Sequence, residues 1–494
     1  FGGTRGQSGF LDPRQSISSG NIRWAPNADS LRFNGSAVGG YNSVVYRAFN
    51  SGFTRINYDY EGRYLLELSG RMDGVSNFGP NKRIAPFGAI AAGWVMSDEK
   101  FWANVPFLNF SKIRVSYGGQ GGPGYALNEW NGSYGNGGTY LGNPILQPTR
   151  IPNPDVSWST VYQTDISWDY GFNKSRITGS VTWFNRDTRN LHITRSFQQS
   201  AYGYAAQLYI NDPEASIVNR GLEFAISSIN MDGKLRWTTD FNITYLTNEV
   251  KSIGALGPDA INAGPGDARI LEGYPQGVWY LAEYAGVDAQ TGNEMIYDLA
   301  GNKILATNDN VRNNRKAVGR PFPKFTGGFA NNFTYKGFDA QILFSFSLGG
   351  QIYDDAAKRQ IGGYSYIWNQ RRTVLNRWQK PGDVTDVPRL TTNTSAGDWN
   401  NTTRWLYDAD FLRLRTVQIG YTLPKNLTTR MKIEKLRVFI TAHNLATFTN
   451  YPGWDPEVTR VVESDPQVSN VSNGSPYLST PQVRTTTIGV QLSF

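Results

Sequence analysis

The last ten residues of the chain, TTTIGVQLSF at positions 485–494, alternate between two kinds of side chain. Ile488, Val490, Leu492 and Phe494 share one side of an extended strand, and the positions between them are small or polar. A soluble sandwich strand has this pattern when its apolar side faces a core. A membrane barrel strand has it when its apolar side faces lipid and its polar side faces a wet lumen. The rest of the chain decides between the two.

The alternation recurs about thirteen times between residue 44 and the end of the chain, which predicts one large antiparallel sheet. Residues 54–60 and 64–71, for example, alternate around a tight turn at Glu61-Gly62, a pattern typical of a hairpin. Residues 1–43 are rich in Gly, Asn and Ser and only weakly periodic, so we expect a poorly patterned start with at most one strand and a loop.

The connections between the expected strands fall into two sets that alternate along the chain. One set is short, at 61–62, 171–175, 230–234 and 336–338, with longer members at 97–109 and 424–434. The other set is mostly long, at 119–156, 187–216, 249–323, 349–409 and 445–482, with a modest member at 73–82. Short turns on one rim and long loops on the other are typical of outer-membrane barrels. We therefore predict an all-β fold, a transmembrane antiparallel β-barrel over residues 44–494, with the long loops extracellular.

Composition excludes several classes of function. The chain has no Cys and only two His, which excludes thiolate metal sites and disfavours a His-based zinc site or catalytic triad. Its net charge of +8 suggests nucleic acid, but Lys and Arg are scattered without a block, so a basic lumen or anionic lipid fits better. The carboxylate pairs Asp383/Asp386 and Asp408/Asp410 could serve hydrolysis or calcium, although loop hydrogen bonding is the commoner role. We expect no catalytic residue, no metal and no cofactor.

A series of short motifs runs through most of residues 53–494, and the order of the motifs matches that of one known protein family. They include Tyr58-Asp59-Tyr60, Arg71-Met72-Asp73-Gly74, Ile113-Arg114-Val115-Ser116-Tyr117-Gly118, Gly273-Tyr274-Pro275-Gln276-Gly277, Gly319-Arg320-Pro321-Phe322-Pro323, Asn376-Arg377-Trp378, Phe411-Leu412-Arg413-Leu414 and Gly453-Trp454-Asp455-Pro456-Glu457. In these motifs the chain resembles the carboxy-terminal barrel portion of SusC/RagA-type TonB-dependent outer-membrane transporters of Bacteroidetes. Trp454 departs from the family, which usually has Tyr at this position.

The resemblance implies a barrel of about 22 strands, of which this chain would supply a part without the amino-terminal plug domain. It also implies a location in the outer membrane of a Gram-negative bacterium. The partners it implies are a SusD-like surface lipoprotein lid, the TonB–ExbB–ExbD complex acting through the absent amino-terminal part, outer-membrane lipid, and a second copy in a dimer of transporter–lid pairs.

Aromatic residues in the long loops are the candidate substrate contacts. Flat rings near Asn, Asp and Arg suit sugar faces or extended peptides, because they offer apolar area at a low entropy cost. The equally weighted alternative is that these rings pack the loops together or meet a partner protein. The candidates are Trp130, Tyr134, Tyr202, Tyr204, Tyr274, Trp279, Tyr364, Tyr366, Trp368, Trp399 and Trp405.

These observations predict active import of a large nutrient, an oligosaccharide or an oligopeptide, driven by TonB and assisted by a SusD-like lipoprotein. The first alternative is an outer-membrane barrel that serves adhesion, docking or secretion and transports nothing. The second is a soluble carbohydrate-binding or hydrolytic β-protein, and a nucleic-acid binder is a distant third.

Overall fold

The computed structural model describes residues 48–122, 130–197, 206–254, 268–362, 369–390, 401–429, 432–457 and 480–494, together with the backbone of three short strands between residues 22 and 41. The structure is dominated by β-strands, and its helices are short. In chain order the strands are β1 (Ile22–Arg23), β2 (Ser30–Phe33), β3 (Ser36–Tyr41), β4 (Phe49–Tyr60), β5 (Tyr64–Val75), β6 (Ile84–Val95), β7 (Leu108–Gly122), β8 (Ser133–Tyr140), β9 (Asn143–Ile151), β10 (Ser159–Phe172), β11 (Ile177–Phe197), β12 (Ala206–Asp232), β13 (Leu235–Ser252), β14 (Ala268–Arg269), β15 (Val278–Val287), β16 (Glu294–Tyr297), β17 (Lys303–Leu305), β18 (Arg315–Val318), β19 (Phe325–Tyr335), β20 (Phe338–Leu348), β21 (Gln351–Tyr353), β22 (Leu406–Asp408), β23 (Phe411–Thr422), β24 (Lys435–Thr449) and β25 (Thr485–Ser493).

The helical segments are single turns or little more. They are α1 (Asn308–Asn313), α2 (Asp355–Ala357), α3 (Lys425–Thr428), the 3₁₀ turns Met96–Asp98, Lys100–Asn104, Arg372–Asn376 and Thr403–Trp405, and a π turn at Lys358–Gly362. No helix among the described residues is both long and apolar enough to cross a membrane.

Among the described residues, thirteen strands form an antiparallel path in which each strand pairs with its neighbours in chain order, and β8 and β9 join the same sheet beside this path. The spatial order is β4-β5-β6-β7-β10-β11-β12-β13-β19-β20-β23-β24-β25, and the strands skipped in this order belong to the loops. This up-and-down arrangement is the one that the sequence predicts, and the all-β transmembrane barrel fold is confirmed. Within the described residues β4 and β25 each pair with one strand of this sheet.

The connections sort to two rims. We call the end with tight turns the short-turn rim and the other end the long-loop rim. At the short-turn rim, Glu61 and Lys336 adopt positive φ beside a glycine, which gives the right-handed twist that two-residue hairpins need. At the long-loop rim, two connections run from β13 to β19 and from β20 to β23 and contain strands of their own.

The sheet exposes its apolar side. Ile488, Val490 and Leu492 are 75%, 60% and 45% exposed, and they stand in register with Ile440, Val438 and Leu436 of β24. Large apolar side chains this exposed on a regular sheet are unfavourable in water and favourable in hydrocarbon. The apolar side of the zigzag therefore faces lipid.

Aromatic rings pair at the short-turn rim, where a barrel meets the membrane interface. Phe107 stacks on Phe172 with centroids 6.4 Å apart, and Phe338 lies 4.5 Å from Tyr421. The Tyr421 hydroxyl suits the headgroup level of a membrane interface, and the Phe rings suit the apolar side of that interface.

The structure differs from the expected boundaries in two places. Residues 22–41 contain three short strands that pair only with one another among the described residues, so this part adds no strand to the large sheet there. In addition, β11 and β12 stay paired well past residue 187, up to Phe197 and Ala206, within the expected loop 187–216. The long-loop rim is thus built partly from strands that extend above the membrane.

Candidate functional site

Two long connections at the long-loop rim fold against each other into one packed unit, which we call the loop body (residues 268–318, 351–362, 369–390 and 401–408). Ala282 forms a parallel bridge with Thr402, and the Ala282 N–H donates to the Asn401 carbonyl at 3.1 Å. The indole N–H of Trp378 donates to the Ala289 carbonyl at 2.9 Å. The two connections therefore hold each other in place above the barrel.

The loop body has its own hydrophobic core. Trp279 and Trp405 are 0% and 3% exposed and pack with Leu281 and Tyr353, whose ring lies 5.8 Å from that of Trp279. A separate small cluster joins Ile296 to its neighbours around α1. Burial of several large side chains gives a loop unit the stability to hold one conformation, because each fully buried large side chain contributes about 1.5–3 kcal/mol.

Buried charges fix one corner of the loop body. Asp354 pairs with Arg371 at 3.2 Å, and Asp355 pairs with Lys358 at 2.8 Å. Lys358 also donates to the Asn401 side chain at 2.9 Å, which links the corner to the other side of the unit. Burial raises the pKa of the Asp355 carboxyl, but Lys358 and Arg359 outweigh burial and leave that pKa below its usual value. This corner is thus held by ion pairs.

A half-buried phenol supports the same unit. The Tyr284 hydroxyl donates to the Asp386 carbonyl at 3.1 Å, and its backbone N–H donates to the Thr403 hydroxyl at 3.0 Å. Burial raises the pKa of Tyr284 to about 12, because the phenolate would lose its hydration. Tyr284 therefore stays a neutral donor that ties β15 to the segments around Asp386 and Thr403.

A second cluster lies where β5, β6 and β10 reach the long-loop rim. Trp158 packs edge-on against Phe78 at 5.1 Å and Phe87 at 5.7 Å, and its indole N–H donates to the Arg83 carbonyl at 3.0 Å. Trp130 packs on this cluster with the Arg83 guanidinium 5.4 Å from its ring centroid. The hairpin of β8 and β9 follows Trp130 and is anchored on β12 by the pair Gln207 and Arg150.

The turn after β24 presents an exposed ring on a pinned backbone. Arg413 of β23 is 1% exposed and forms an ion pair with Asp455, which is 5% exposed. Asp455 also accepts from the backbone N–H groups of Glu457 and Gln482, each at 2.9 Å. Trp454, directly before Asp455, is 76% exposed. An exposed indole held by a buried ion pair on one side is a preorganised contact for a ligand or partner.

Charged and polar pairs cover the inner side of the barrel wall. Arg114 donates twice to Asp169, at 2.7 and 2.8 Å, across β7 and β10. The Ser227 hydroxyl donates to Asp240 at 2.6 Å, across β12 and β13. These side chains alternate with lipid-facing apolar ones, so the lumen is polar and charged, which suits a hydrated substrate path.

The structure divides the sequence candidates into three groups. Trp279 and Trp405 are buried in the loop body, where they pack the loops together, which is the alternative role given in the sequence analysis. Trp130 packs partly on the Trp158 cluster. Tyr134 and Tyr274 are 71% and 45% exposed at the long-loop rim. The third group, which lies outside the described residues, comprises Tyr202, Tyr204, Tyr364, Tyr366, Trp368 and Trp399. Trp454 is an exposed ring that the sequence analysis did not select, although its departure from the family pattern marked it.

Three of the four paired carboxylates, those of Asp383, Asp408 and Asp410, accept loop hydrogen bonds. Asp410 accepts from the Gly349 N–H at 2.6 Å, and Asp408 accepts from the Gln351 amide at 3.2 Å. Asp383 accepts from the N–H groups of Gln379 and Lys380, which lowers its carboxyl pKa. In the part of the chain that the structure describes, no three acidic or imidazole side chains gather to hold a metal ion.

An exposed apolar sheet, a charged inner wall and a packed loop body at one rim define an outer-membrane β-barrel of the large, loop-bearing kind. Comparison with known proteins narrows this class, although no family model matches the sequence. The chain is 30% identical over 468 residues to TonB-dependent receptor P3 of Formosa agariphila, covering 90% of this chain and 45% of that protein. It is 26% identical over 442 residues to the TonB-dependent receptor SusC of Bacteroides thetaiotaomicron, covering 84% of this chain and 42% of that protein.

Solved structures agree with the sequence relatives. The structure of the RagAB peptide transporter matches 93% of this chain and 50% of that chain, with a TM-score of 0.76 and 25% identity. The chain spans less than half the length of the curated relatives it matches. In sequence and fold it is similar to the SusC/RagA-type TonB-dependent outer-membrane proteins, and it resides in the outer membrane. Its relatives are receptors and transporters, not enzymes.

Proposed function

We propose that this chain supplies part of the wall and of the outer substrate cavity of a TonB-dependent importer for a large nutrient, an oligosaccharide or an oligopeptide. The observation that carries the proposal is the loop body, a packed unit that stands beside a charged lumen in a barrel of this family. An ordinary solute pore needs no such unit, whereas capture of a large ligand requires a preorganised surface at the entrance.

The exposed side chains suit both an oligosaccharide and an oligopeptide. Tyr134, Tyr274 and Trp454 offer flat apolar area, and the lumen offers charged hydrogen-bonding groups. The similarity to a peptide transporter favours peptides, and the similarity to SusC is compatible with either class. A SusD-like lipoprotein would cover the long-loop rim and meet the loop body, and TonB–ExbB–ExbD would supply the energy through the remainder of the full-length protein.

Uptake by cells tests import directly. The strain lacking the full-length gene should lose uptake of one fluorescent oligomer from a panel of peptides and glycans, and the gene should restore it. Uptake should also stop when the proton-motive force is collapsed, because TonB-driven import is active. Unchanged uptake of every oligomer in the deletion strain would contradict import and favour the docking or adhesion alternative.

Point variants locate the substrate contacts. Trp454→Ala and Tyr134→Ala should each weaken uptake of that oligomer by about 5- to 150-fold at low concentration, because loss of an aromatic contact costs about 1–3 kcal/mol. Tyr335→Ala is the matched control, since Tyr335 is also an exposed ring but lies at the short-turn rim. Equal loss in the control would mean that the effect comes from altered insertion and not from substrate contact.

A further inference from the structure

The barrel wall splits where β6 and β7 approach the long-loop rim. Their antiparallel pairing ends at Ala89 and Gly118 in the described residues, whereas β6 stays paired with β5 up to Ile84 and β7 stays paired with β10 up to Gly122. Residues 84–88 and 119–122 therefore border a cleft in the wall. A cavity of about 430 Å³ occupies it.

The cleft is closed toward the lumen by aromatic side chains. Phe87 and Trp158 pack together, and Gly121 lies directly against both rings. Asn190 forms a bulge in β11 at positive φ, and its amide donates to the Trp158 carbonyl at 2.7 Å. Phe87 stands in register with Arg71 of β5, so this wall bounds the cavity on the lumen face of the sheet, and Tyr117 and Tyr162 line the cavity on the other face.

That other face is the lipid-facing one. Tyr117 and Tyr162 line the cavity on the side that carries Val115 and Ile166 further down the same strands. The two Tyr rings are stacked, with centroids 6.5 Å apart and an interplanar angle of 12°, and they remain 53% and 38% exposed. Ile84 continues the apolar band up to the cavity. The site therefore lies at the outer edge of the apolar band, at the level of the outer-leaflet headgroups.

The polar end of the cavity is cationic. Lys82 lines it and forms no ion pair in the described part of the chain, and the neighbouring Asn81 occupies Asp155 by donating to its carboxylate at 2.9 Å. The Arg189 guanidinium lies 5.7 Å from the Tyr162 ring centroid and pairs with Asp187 at 2.6 Å. An unpaired ammonium beside hydroxyl, amide and aromatic groups suits an anionic, hydroxylated headgroup.

We propose that this cleft binds one molecule of a phosphorylated outer-leaflet glycolipid. The sugar ring lies on the Tyr117–Tyr162 pair, a phosphate lies near Lys82, and an acyl chain follows Ile84 down the apolar band. The ligand is amphiphilic because the cavity joins a cationic end to the lipid-facing surface without a break. This proposal rests on the outer-membrane location alone and is independent of what the protein imports.

Native mass spectrometry of the delipidated full-length protein in detergent tests the proposal. The probe is a deep-rough lipopolysaccharide, titrated against phosphatidylethanolamine of matched chain length. We expect one glycolipid to bind at least about 10-fold more tightly than the phospholipid. Lys82→Gln should weaken glycolipid binding by about 5-fold, and Tyr117→Leu/Tyr162→Leu by about 10-fold. Both changes keep the lipid-facing surface compatible with insertion.

A third variant tests whether the cavity itself is needed for binding, and a matched control tests whether the position of the ring and cation matters. Gly119→Leu fills the cavity from its wall, where a Cβ would meet the Tyr162 ring at an ordinary 3.4 Å, and it should abolish the single glycolipid adduct. Tyr335→Leu/Lys336→Gln removes an equivalent ring and cation, 5.3 Å apart, at the short-turn rim and should change nothing. Equal binding of the phospholipid, equal loss in the control, or unchanged glycolipid binding in all three cleft variants would overturn the proposal. Protection of the amides of residues 84–88 by a protein strand after delipidation would also overturn it.

Discussion

The ion pair between Arg413 and Asp455 should hold the segment after β24 on the barrel, and replacing Arg413 by Met should release it. Both partners are almost fully buried, with exposures of 1% and 5%. Removing one partner of a buried ion pair costs about 3–5 kcal/mol, because the other charge stays buried without compensation.

Contacts that remain in Arg413→Met place the expected cost at the lower end of this range. Asp455 would keep two backbone donors, from Glu457 and Gln482, and Glu457 would keep Arg415 at 2.5 Å. The Arg413 Nε lies 3.4 Å from Glu457 but makes no aligned hydrogen bond, so that contact adds little. We therefore expect the lower end, about 3 kcal/mol, which corresponds to an opening equilibrium shifted by about 100-fold.

Hydrogen exchange of the protein in detergent measures this opening. The amides of Glu457 and Gln482 donate to Asp455, so their exchange should accelerate about 100-fold in Arg413→Met. The control is Arg55→Met, which breaks the pair with Glu67 on side chains 61% and 36% exposed and should cost at most about 1 kcal/mol. Exchange in Arg413→Met that rises no more than in the control would refute the idea that burial makes this pair strong.

Three further changes test the loop body and the sheet orientation. Trp279→Ala should destabilise the loop body by about 3–5 kcal/mol, since the indole is fully buried, and limited proteolysis should then cut there while the barrel stays intact. Asp355 has a lowered pKa in the folded protein. Its contribution to the stability of the loop body is therefore present above its unfolded pKa of about 3.9 and is lost as the pH falls through the folded pKa. Pepsin should therefore open the wild-type loop body more slowly than Asp355→Asn at pH 5, and this difference should shrink below about pH 4. Ile488→Lys should destabilise the protein in bilayers by about 2–4 kcal/mol and Thr487→Lys by far less, because only the first places a charge in hydrocarbon; equal costs in urea titrations would reverse the assigned faces.

The strands could be predicted from the sequence because a barrel in a membrane leaves little freedom of register. A slip of one residue in β25 would turn Ile488 and Val490 into the lumen and Thr487 toward lipid, so the period-two pattern has one acceptable solution. Loop sorting between the rims could be predicted for a similar reason, since strand length is set by membrane thickness and only the connections vary. No such constraint fixes how far β11 and β12 extend above the membrane. The sequence analysis therefore began the loop at residue 187, whereas the two strands stay paired up to Phe197 and Ala206.

The roles of the loop aromatics could not be read from composition, because a ring that packs a loop and a ring that binds a ligand have the same chemistry. The neighbours of Trp279 did carry a signal. Residues 278–282 are apolar on both sides of the strand, and a segment that is apolar on both sides is covered on both sides. The aromatic at position 279 therefore belonged to a core, whereas Tyr134 lies among Gly, Asn and Thr, which offer nothing to bury it.

This distinction bears on how such a barrel can bind at all. A ring in a flexible loop loses conformational entropy when it meets a ligand, so exposure alone makes a weak contact. Trp454 avoids that loss because Asp455, the next residue, is fixed by Arg413 inside the wall, and Tyr451, three residues earlier, is buried against Tyr407 at 6.0 Å. The buried charges and the buried aromatics at this rim therefore support the binding surface, although they do not contact the ligand. They hold the backbone that presents the few exposed rings, and a variant that loosens them should weaken ligand capture even though it removes no ligand contact.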